Sequence, residues 1–185
     1  GRKTYAITRN GIARTFQNIR LFKDISVLDN VRIAMNSGMK YSLVSGLLRL
    51  PSYWREEREV TDRAMELLDV FGLKDLSGSQ ARNLPYGQQR KLEIARALAC
   101  SPKVLLLDEP AAGMNPTETQ ELMETIKLIR DRFSIAILLI EHDMNFVMGI
   151  CEHLIVLDYG RIIAEGSADE IRGNPKVITA YLGGE

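Results

Sequence analysis

The feature that most constrains the fold is a short aliphatic run that ends in two carboxylates and a proline. Residues 104–107 read VLLL, and Asp108, Glu109 and Pro110 follow directly. A continuous apolar run bounded by turn-forming residues predicts a strand buried on both faces, as in a parallel sheet. Carboxylates at the carboxyl end of such a strand lie where open α/β sheets bind ligands. Asp108 is therefore a candidate Mg²⁺ ligand and Glu109 a candidate for polarising a water, although solvated acids capping a core strand fit LLLDE equally well.

Two further predicted strands also end in polar side chains. Residues 12–16 precede Gln17, and residues 135–140, another strand that we expect to be buried, precede Glu141, His142 and Asp143. Parallel neighbours would bring Gln17, Asp108, Glu109 and His142 to one crevice, where an amide, two acids and an imidazole would suit phosphoryl transfer. Taken alone, a glutamine after a strand is most often an ordinary loop residue.

Residues 26–82 have a helical pattern. Ser26 is a good N-cap, with Asp29 as a capping-box acid. Residues 52–71 carry an amphipathic helical stripe, and residues 41–51 and 73–83 are predicted to be loops.

The segment 84–99, LPYGQQRKLEIARALA, predicts a loop followed by a helix that begins after Gly87. The free N–H groups and the dipole at that helix start would favour an anion such as phosphate. For these residues alone, a surface helix with a glycine-bearing start is the simpler interpretation.

The second half of the chain alternates between strands and helices. We expect a helix from an N-cap at Thr117 to about residue 132, a helix at 144–151, a hairpin at 154–165 and two short helices at 167–172 and 175–182. Strand–helix–strand alternation predicts an α/β fold with a parallel, doubly wound sheet, which the helical segment at about 26–100 interrupts.

The composition is that of an ordinary globular domain. The 185 residues contain 24 Lys+Arg and 24 Asp+Glu, so no chain-wide nucleic-acid footprint is indicated. No apolar run approaches the roughly 18 residues that span a bilayer, and the first residues lack the apolar core of a signal peptide. Cys100 and Cys151 stand apart without a CxxC spacing, which favours buried thiols in a reducing compartment. These features predict a cytoplasmic location.

Taken together and in order, these stretches resemble the ATP-binding cassette of ABC transporters, and most closely the ATPase subunits of branched-chain amino acid importers. The resemblance covers the whole chain. It implies that Gln17 is the Q-loop glutamine, which senses metal and γ-phosphate, that Glu109 is the catalytic acid of the Walker B segment 103–109, and that His142 is the switch histidine. The implied nucleotide-contacting positions of the signature motif are Leu84, Pro85, Tyr86, Gly87 and Gln88. Residues 112–115 would form the D-loop, with Asn115 near the nucleotide.

The resemblance implies an α/β core of the P-loop NTPase type with an inserted α-helical subdomain. By this interpretation residues 1–25 end the first core portion, residues 26–101 form the helical subdomain, residues 102–166 form the Walker B half of the core, and residues 167–185 are a C-terminal helical extension.

Three positions depart from the family pattern. Pro85 and Tyr86 stand where the signature motif usually has serine and glycine, and Asn115 replaces the usual D-loop aspartate. The P-loop pattern G-x-x-x-x-G-K-[S/T] is absent from the sequence, as is the aromatic residue that stacks on adenine in the family. We therefore expect an incomplete cassette that corresponds to its C-terminal part. The 185 residues should bind nucleotide weakly, expose an apolar sheet edge and be marginally stable or self-associating.

The function implied is that of an ATP-hydrolysing importer subunit that uses Mg²⁺. Its partners would be a second cassette in a head-to-tail dimer, membrane permease subunits and, indirectly, a periplasmic or lipid-anchored binding protein, with no nucleic acid. It would lie at the inner face of the cell membrane. Two alternatives are a non-catalytic cassette fragment that acts as a binding module and an ABC-type ATPase with a role outside transport.

Overall fold

The computed structural model describes residues 1, 3–35 and 51–183. The loop predicted at 41–51 therefore lies outside the described residues, apart from Pro51, which begins a helix. The chain divides into two compact units, residues 1–140 and residues 141–185. The finer division into four functional segments stays a prediction.

The first unit contains three strands and five helices among its described residues. In chain order these elements are α1 (Thr4–Arg9), β1 (Ile12–Arg14), α2 (Val27–Met35), α3 (Pro51–Val70), α4 (Tyr86–Leu98), β2 (Val104–Asp108), α5 (Pro116–Phe133) and β3 (Ala136–Ile140). Two single 3₁₀ turns, Lys74–Leu76 and Ala81–Asn83, interrupt the segment that the sequence predicts to be loop.

The three strands form one parallel sheet in the order β1-β2-β3. Ile12 pairs with Val104 and Val104 with Ala136, so the strands run in register from their amino ends. The carboxyl ends of β2 and β3 meet where Asp108 pairs with Ile140. The predicted parallel α/β arrangement is thus observed.

The sheet is less buried than the sequence predicts. Leu105 and Leu107 of β2 are fully buried, but the alternate residues of the same strand are only half-buried. Leu138 and Ile140 of β3 are each 57% exposed, so β3 is not the buried strand that its composition indicates. Within the described residues β3 is an edge strand paired with β2 alone, which agrees with the expected exposed apolar edge.

The helices after β1 pack around their own apolar core. Helix α3 buries Val60, Ala64, Leu67 and Leu68, the stripe predicted from its sequence, and α4 buries Leu92, Ile94, Ala95 and Leu98. Ser26 accepts a hydrogen bond from the Asp29 N–H at 2.9 Å, which confirms the predicted cap of α2.

Three predicted boundaries are wrong. Strand β1 ends at Arg14 rather than at residue 16, although the Thr15 N–H still donates to the Leu106 carbonyl at 2.9 Å. Helix α4 begins at Tyr86, before Gly87, because Pro85 fixes an extended backbone just ahead of it. Helix α5 is capped by Asn115 rather than Thr117, because Pro116 suits the first helical position, where no N–H is needed.

The second unit is a hairpin with short helices packed on one side. Its elements are α6 (Met144–Ile150), β4 (Leu154–Asp158), β5 (Arg161–Gly166), α7 (Ala168–Arg172) and α8 (Pro175–Val177), followed by a π-helical turn (Ile178–Gly183). The antiparallel pairing of β4 with β5 confirms the predicted hairpin. Leu154, Val156, Ala164, Ile171 and Val177 form its core.

Two findings bear on the compositional arguments. None of the described helices is both long and apolar enough to cross a membrane. Cys100 and Cys151 are free thiols, but they are half-buried rather than fully buried. Burial raises the pKa of both thiols, and the nearby Arg96 guanidinium partly opposes that rise at Cys100.

Candidate functional site

The carboxyl edge of the parallel sheet carries a connected set of polar side chains. The Gln17 amide Nε2 donates to the Glu109 carboxylate Oε2 at 2.7 Å, although 92 residues separate them in the chain. Parallel pairing of β1 with β2 produces this contact, because both residues follow strands that end at the same edge. The predicted neighbours Gln17, Asp108 and Glu109 are therefore brought together within the first unit.

Glu109 has an unusual backbone. Its φ of 44° lies in the left-handed region, which residues other than Gly, Asn and Asp seldom adopt. The Glu109 N–H donates to the Ile140 carbonyl at 2.9 Å, and the Glu109 carbonyl accepts from the Ala112 N–H at 3.2 Å. These bonds fix the strained residue between β3 and the following turn. Strain of this kind is common where a side chain must be aimed at a ligand.

Asp108 is paired with a cation that sequence reasoning missed. Arg14 Nη2 lies 2.7 Å from Asp108 Oδ2, and the two side chains are 52% and 24% exposed. Arg14 pairs with Leu106 in the sheet, so Asp108 is its diagonal neighbour two residues further along β2. Arg14 can be identified as the ion-pair partner of Asp108 only when the register of β1 against β2 is known.

The same edge offers oxygen ligands that fit Mg²⁺. Asp108 retains exposed carboxylate surface, and the amide oxygen of Gln17 is left as an acceptor because its NH₂ group is donated to Glu109. Within the described ranges, no cluster of three or more His, Cys, Asp or Glu side chains could hold a metal. Mg²⁺ in nucleotide sites needs only one or two protein oxygens, since phosphate and water complete its shell.

The start of α4 is packed against the start of α5. Gly87 is buried, and a Cβ atom built on it would lie only 2.7 Å from Glu118 Oε1 and 3.0 Å from Glu118 Cδ. Leu84 is buried and its carbonyl accepts from Gln89 Nε2 at 2.8 Å, whereas Pro85 and Tyr86 are exposed. The N-cap residue, Pro85, makes no side-chain cap hydrogen bond, so the first N–H groups of the helix, including that of Gln88, are candidates for binding an anion.

Asn115 is committed to the structure of α5. Its side chain accepts from the Glu118 N–H at 2.9 Å, and Glu118 Oε2 accepts from the Asn115 N–H at 3.0 Å. This reciprocal capping box explains why an asparagine serves here, independently of any nucleotide contact. The proposed D-loop position therefore has a structural reason of its own.

His142 belongs to the second unit and is described within it. The imidazole is 72% exposed, and its Nδ1 lies 3.8 Å from Oε2 of Glu141, whose side chain is 98% buried. The next residue, Asp143, caps α6 by accepting from the Asn145 and Phe146 N–H groups. The role of His142 stays a prediction.

Sequence reasoning also missed a buried ion pair beneath Gln17. Arg90 and Glu93 of α4 are 0% and 2% exposed, and Arg90 Nη1 lies 2.7 Å from Glu93 Oε2. Arg90 falls in line with Ile94 and Leu98 at a spacing of four residues, which is the apolar face of the helix. That spacing was the available signal that Arg90 is buried.

Two family models match the chain. Residues 2–112 match the model described as ABC transporter, and residues 161–185 match the model described as branched-chain amino acid ATP-binding cassette transporter.

Relatives and solved structures agree with these matches. The high-affinity branched-chain amino acid transport ATP-binding protein LivG of Escherichia coli K12 is 49% identical over 96% of this chain and 69% of its own length. BraF of Pseudomonas aeruginosa, which carries the same description, is 43% identical over 97% of this chain and 70% of its own length. The crystal structure of MJ1267, an ATP-binding cassette of an ABC transporter in its ADP conformation, has a TM-score of 0.78 at 30% identity and covers 99% of this chain and 72% of that one. The predicted α/β cassette fold is thereby confirmed, and this chain belongs to the ABC transporter family of ATP-binding proteins.

Proposed function

We propose that this chain is part of the ATP-hydrolysing subunit of an ABC importer for branched-chain amino acids, and that hydrolysis requires the complete cassette. The observation that carries the proposal is the Gln17–Glu109 hydrogen bond of 2.7 Å beside Asp108, at the ligand-binding edge of a parallel sheet. The match of residues 161–185 to the branched-chain amino acid cassette model supports the same class of transporter.

In this proposal each of the predicted site residues has a defined role, and Gln17 has two. Glu109 orients the attacking water and accepts its proton, and Gln17 holds the Glu109 carboxylate in position. Asp108 and the Gln17 amide oxygen would hold Mg²⁺, which supplies positive charge to the phosphate oxygens when it is bound. His142 would contact the γ-phosphate.

The start of α4 would act on the nucleotide of a second cassette. Residues 84–88 offer backbone N–H groups and the positive end of a helix dipole, which suit a phosphate better than the side chains of Pro85 and Tyr86 do. Asn115 would lie near the same nucleotide, where the two cassettes meet. The partners are then a second cassette, arranged head to tail, and membrane permease subunits, at the cytoplasmic face of the membrane, with a binding protein acting indirectly.

A non-catalytic binding module is the second candidate for the 185 residues by themselves. The observation that favours it is the absence of G-x-x-x-x-G-K-[S/T] from their sequence. Without the lysine and the amide cradle of that motif, several charge-assisted hydrogen bonds to phosphate are lost, each worth about 1.5–3 kcal/mol. We therefore propose that this chain alone binds nucleotide weakly and does not hydrolyse it.

Calorimetry of Mg-ATP binding to this chain, with Asp108→Ala as control, tests the proposal that the 185 residues bind nucleotide weakly. Absence of binding in the micromolar to low-millimolar range would support the incomplete site. Binding that Asp108→Ala abolishes would show that other residues replace the P-loop and would refute weak binding. In a complete cassette, Glu109→Gln should preserve ATP binding and stop turnover, whereas normal hydrolysis by that variant would refute the role of Glu109.

A further inference from the structure

The loop that carries Gln17 is anchored from below by the buried pair on α4. Arg90 Nη1 donates to the Phe16 carbonyl at 2.7 Å, and Arg90 Nη2 donates to the Gln17 carbonyl at 2.7 Å. Glu93 Oε1 accepts from the Arg20 N–H at 3.0 Å, while Glu93 Oε2 accepts from Arg90. The pair therefore fastens both ends of residues 16–20 to the helix.

Burying the Arg90–Glu93 pair costs free energy that must be offset by the contacts the pair makes. Removing a guanidinium and a carboxylate from water carries a large desolvation penalty, and an apolar pair of similar volume is often as stable or more stable. Part of that cost is offset here, because the two terminal nitrogens of Arg90 donate to four acceptors, two of which are backbone carbonyls of the Gln17 loop. The buried Nε of Arg90 has no hydrogen-bond partner among the described residues, so the pair is not fully compensated. Three of these hydrogen bonds join the pair to backbone groups of the Gln17 loop, at Phe16, Gln17 and Arg20.

We infer that Arg90 and Glu93 are positioning residues, which hold the Gln17 backbone so that the Gln17 amide meets Glu109. The inference rests on the proposed function, because it gives the pair a role only through Gln17 and Glu109. Arg90 also connects the start of α4 to the Gln17 loop, because Arg90 Nη2 donates to the Tyr86 hydroxyl at 3.4 Å in the first turn of the same helix.

The decisive variant replaces both members, Arg90→Met with Glu93→Leu, in a complete cassette. An apolar pair leaves no unpaired buried charge, so we expect the fold to survive. Turnover at saturating ATP should fall about 10- to 100-fold, because misplacing a catalytic group by about 1 Å costs that much, while the dissociation constant for ATP changes less than about threefold. Lys91→Met is the matched control, because it removes a cation from the next position of the same helix and breaks an ion pair with Glu121 rather than a contact with the Gln17 loop.

A Gln17→Ala background separates positioning from a general structural effect. If the pair acts through Gln17, the double replacement should change turnover less than about threefold once the Gln17 side chain is gone. An equal loss in both backgrounds, or turnover within about threefold of the parent in the Gln17-containing protein, would overturn the inference. If Gln17→Ala and Glu109→Gln both leave turnover unchanged, the proposed function fails instead.

Two further measurements keep the inference testable if the double variant does not fold. Arg90→Lys keeps the buried charge but has no planar fork to span the acceptors of Arg90, so turnover should fall about tenfold in a folded protein. Unchanged turnover would contradict the inference. In the 185-residue chain, Glu109→Gln should shift the Gln17 side-chain amide resonance in the nuclear magnetic resonance spectrum. That shift should be lost when Arg90→Lys is also present, and a full shift would count against positioning.

Discussion

The contact between Gly87 and Glu118 predicts that the effect of an alanine at position 87 depends on the residue at position 118. In an unobstructed helix, replacing glycine by alanine stabilises by about 0.5–1 kcal/mol. Here the new Cβ would lie 2.7 Å from Glu118 Oε1, 3.0 Å from Cδ and 3.3 Å from Cγ, so the Glu118 side chain must move.

Moving Glu118 has a definable cost. Its other carboxylate oxygen accepts from the Asn115 N–H at 3.0 Å, so displacing the side chain breaks half of the capping box of α5. The lost hydrogen bond is worth about 0.5–1.5 kcal/mol, and residual overpacking adds to it. We therefore expect Gly87→Ala to destabilise the parent chain by up to about 1 kcal/mol, but to stabilise a Glu118→Ala background by about 0.5–1 kcal/mol.

Denaturant unfolding of the parent, both single variants and the double variant gives the coupling energy directly. The expected coupling between the two sites is about 0.5–2 kcal/mol, compared with the roughly 0.3–0.5 kcal/mol by which distant sites depart from additivity. At this chain length each kcal/mol moves the midpoint temperature by about 2–4 °C, so thermal unfolding provides a second reading. A Gly87→Ala change that stabilises both backgrounds equally would refute the steric argument.

Three other predictions follow from contacts outside the sheet edge. Asn115→Ala should destabilise the chain by about 1 kcal/mol in denaturant unfolding, because it removes the side-chain cap of α5, whereas Asn115→Asp, which keeps the acceptor, should cost less. Cys100 and Cys151 should react with a thiol reagent at pH 7.5 more slowly than free cysteine and reach its rate on unfolding, because burial raises the pKa of both thiols. Hydrogen bonds from the Ser167 backbone N–H and, second, from its hydroxyl lower the pKa of Glu170. The stabilisation from this cap should therefore be present above the unfolded-state pKa of glutamate and be lost as pH falls through the lower folded-state pKa. In a pH series of unfolding midpoints, Glu170→Gln should flatten that acid limb, whereas Ser167→Ala, which keeps the backbone donor, should flatten it only in part.

The sequence predicts the parts of the site that depend on strand ends. Gln17, Asp108 and Glu109 follow apolar runs, and once those runs are parallel neighbours their ends must meet. Their spacing along the chain matters little, because the sheet determines the contact. The hairpin of the second unit and the apolar stripe of α3 are also predicted, because turn residues and apolar periodicity are local features of the sequence.

The sequence does not predict contacts that depend on register or on the packing of one helix start against another. Arg14 reaches Asp108 only as a diagonal neighbour across two strands. The approach of Glu118 to Gly87 depends on two helices meeting, and neither helix contains a local sign of it. The burial of Arg90 and Glu93 is not predicted because charged residues are normally exposed; the alignment of Arg90 with Ile94 is a local sign of burial, and Glu93 has no such sign.

The backbone of Glu109 has a consequence for how this position can evolve. At φ 44°, glycine or asparagine relieves backbone strain that glutamine would keep, so replacing Glu109 with either of those two residues should make the protein harder to unfold. Selection for thermal endurance and selection for turnover would then act in opposite directions on a single codon. In a library screened only for heat resistance, we expect glycine to accumulate at position 109, whereas a screen for growth on transported substrate should restore glutamate.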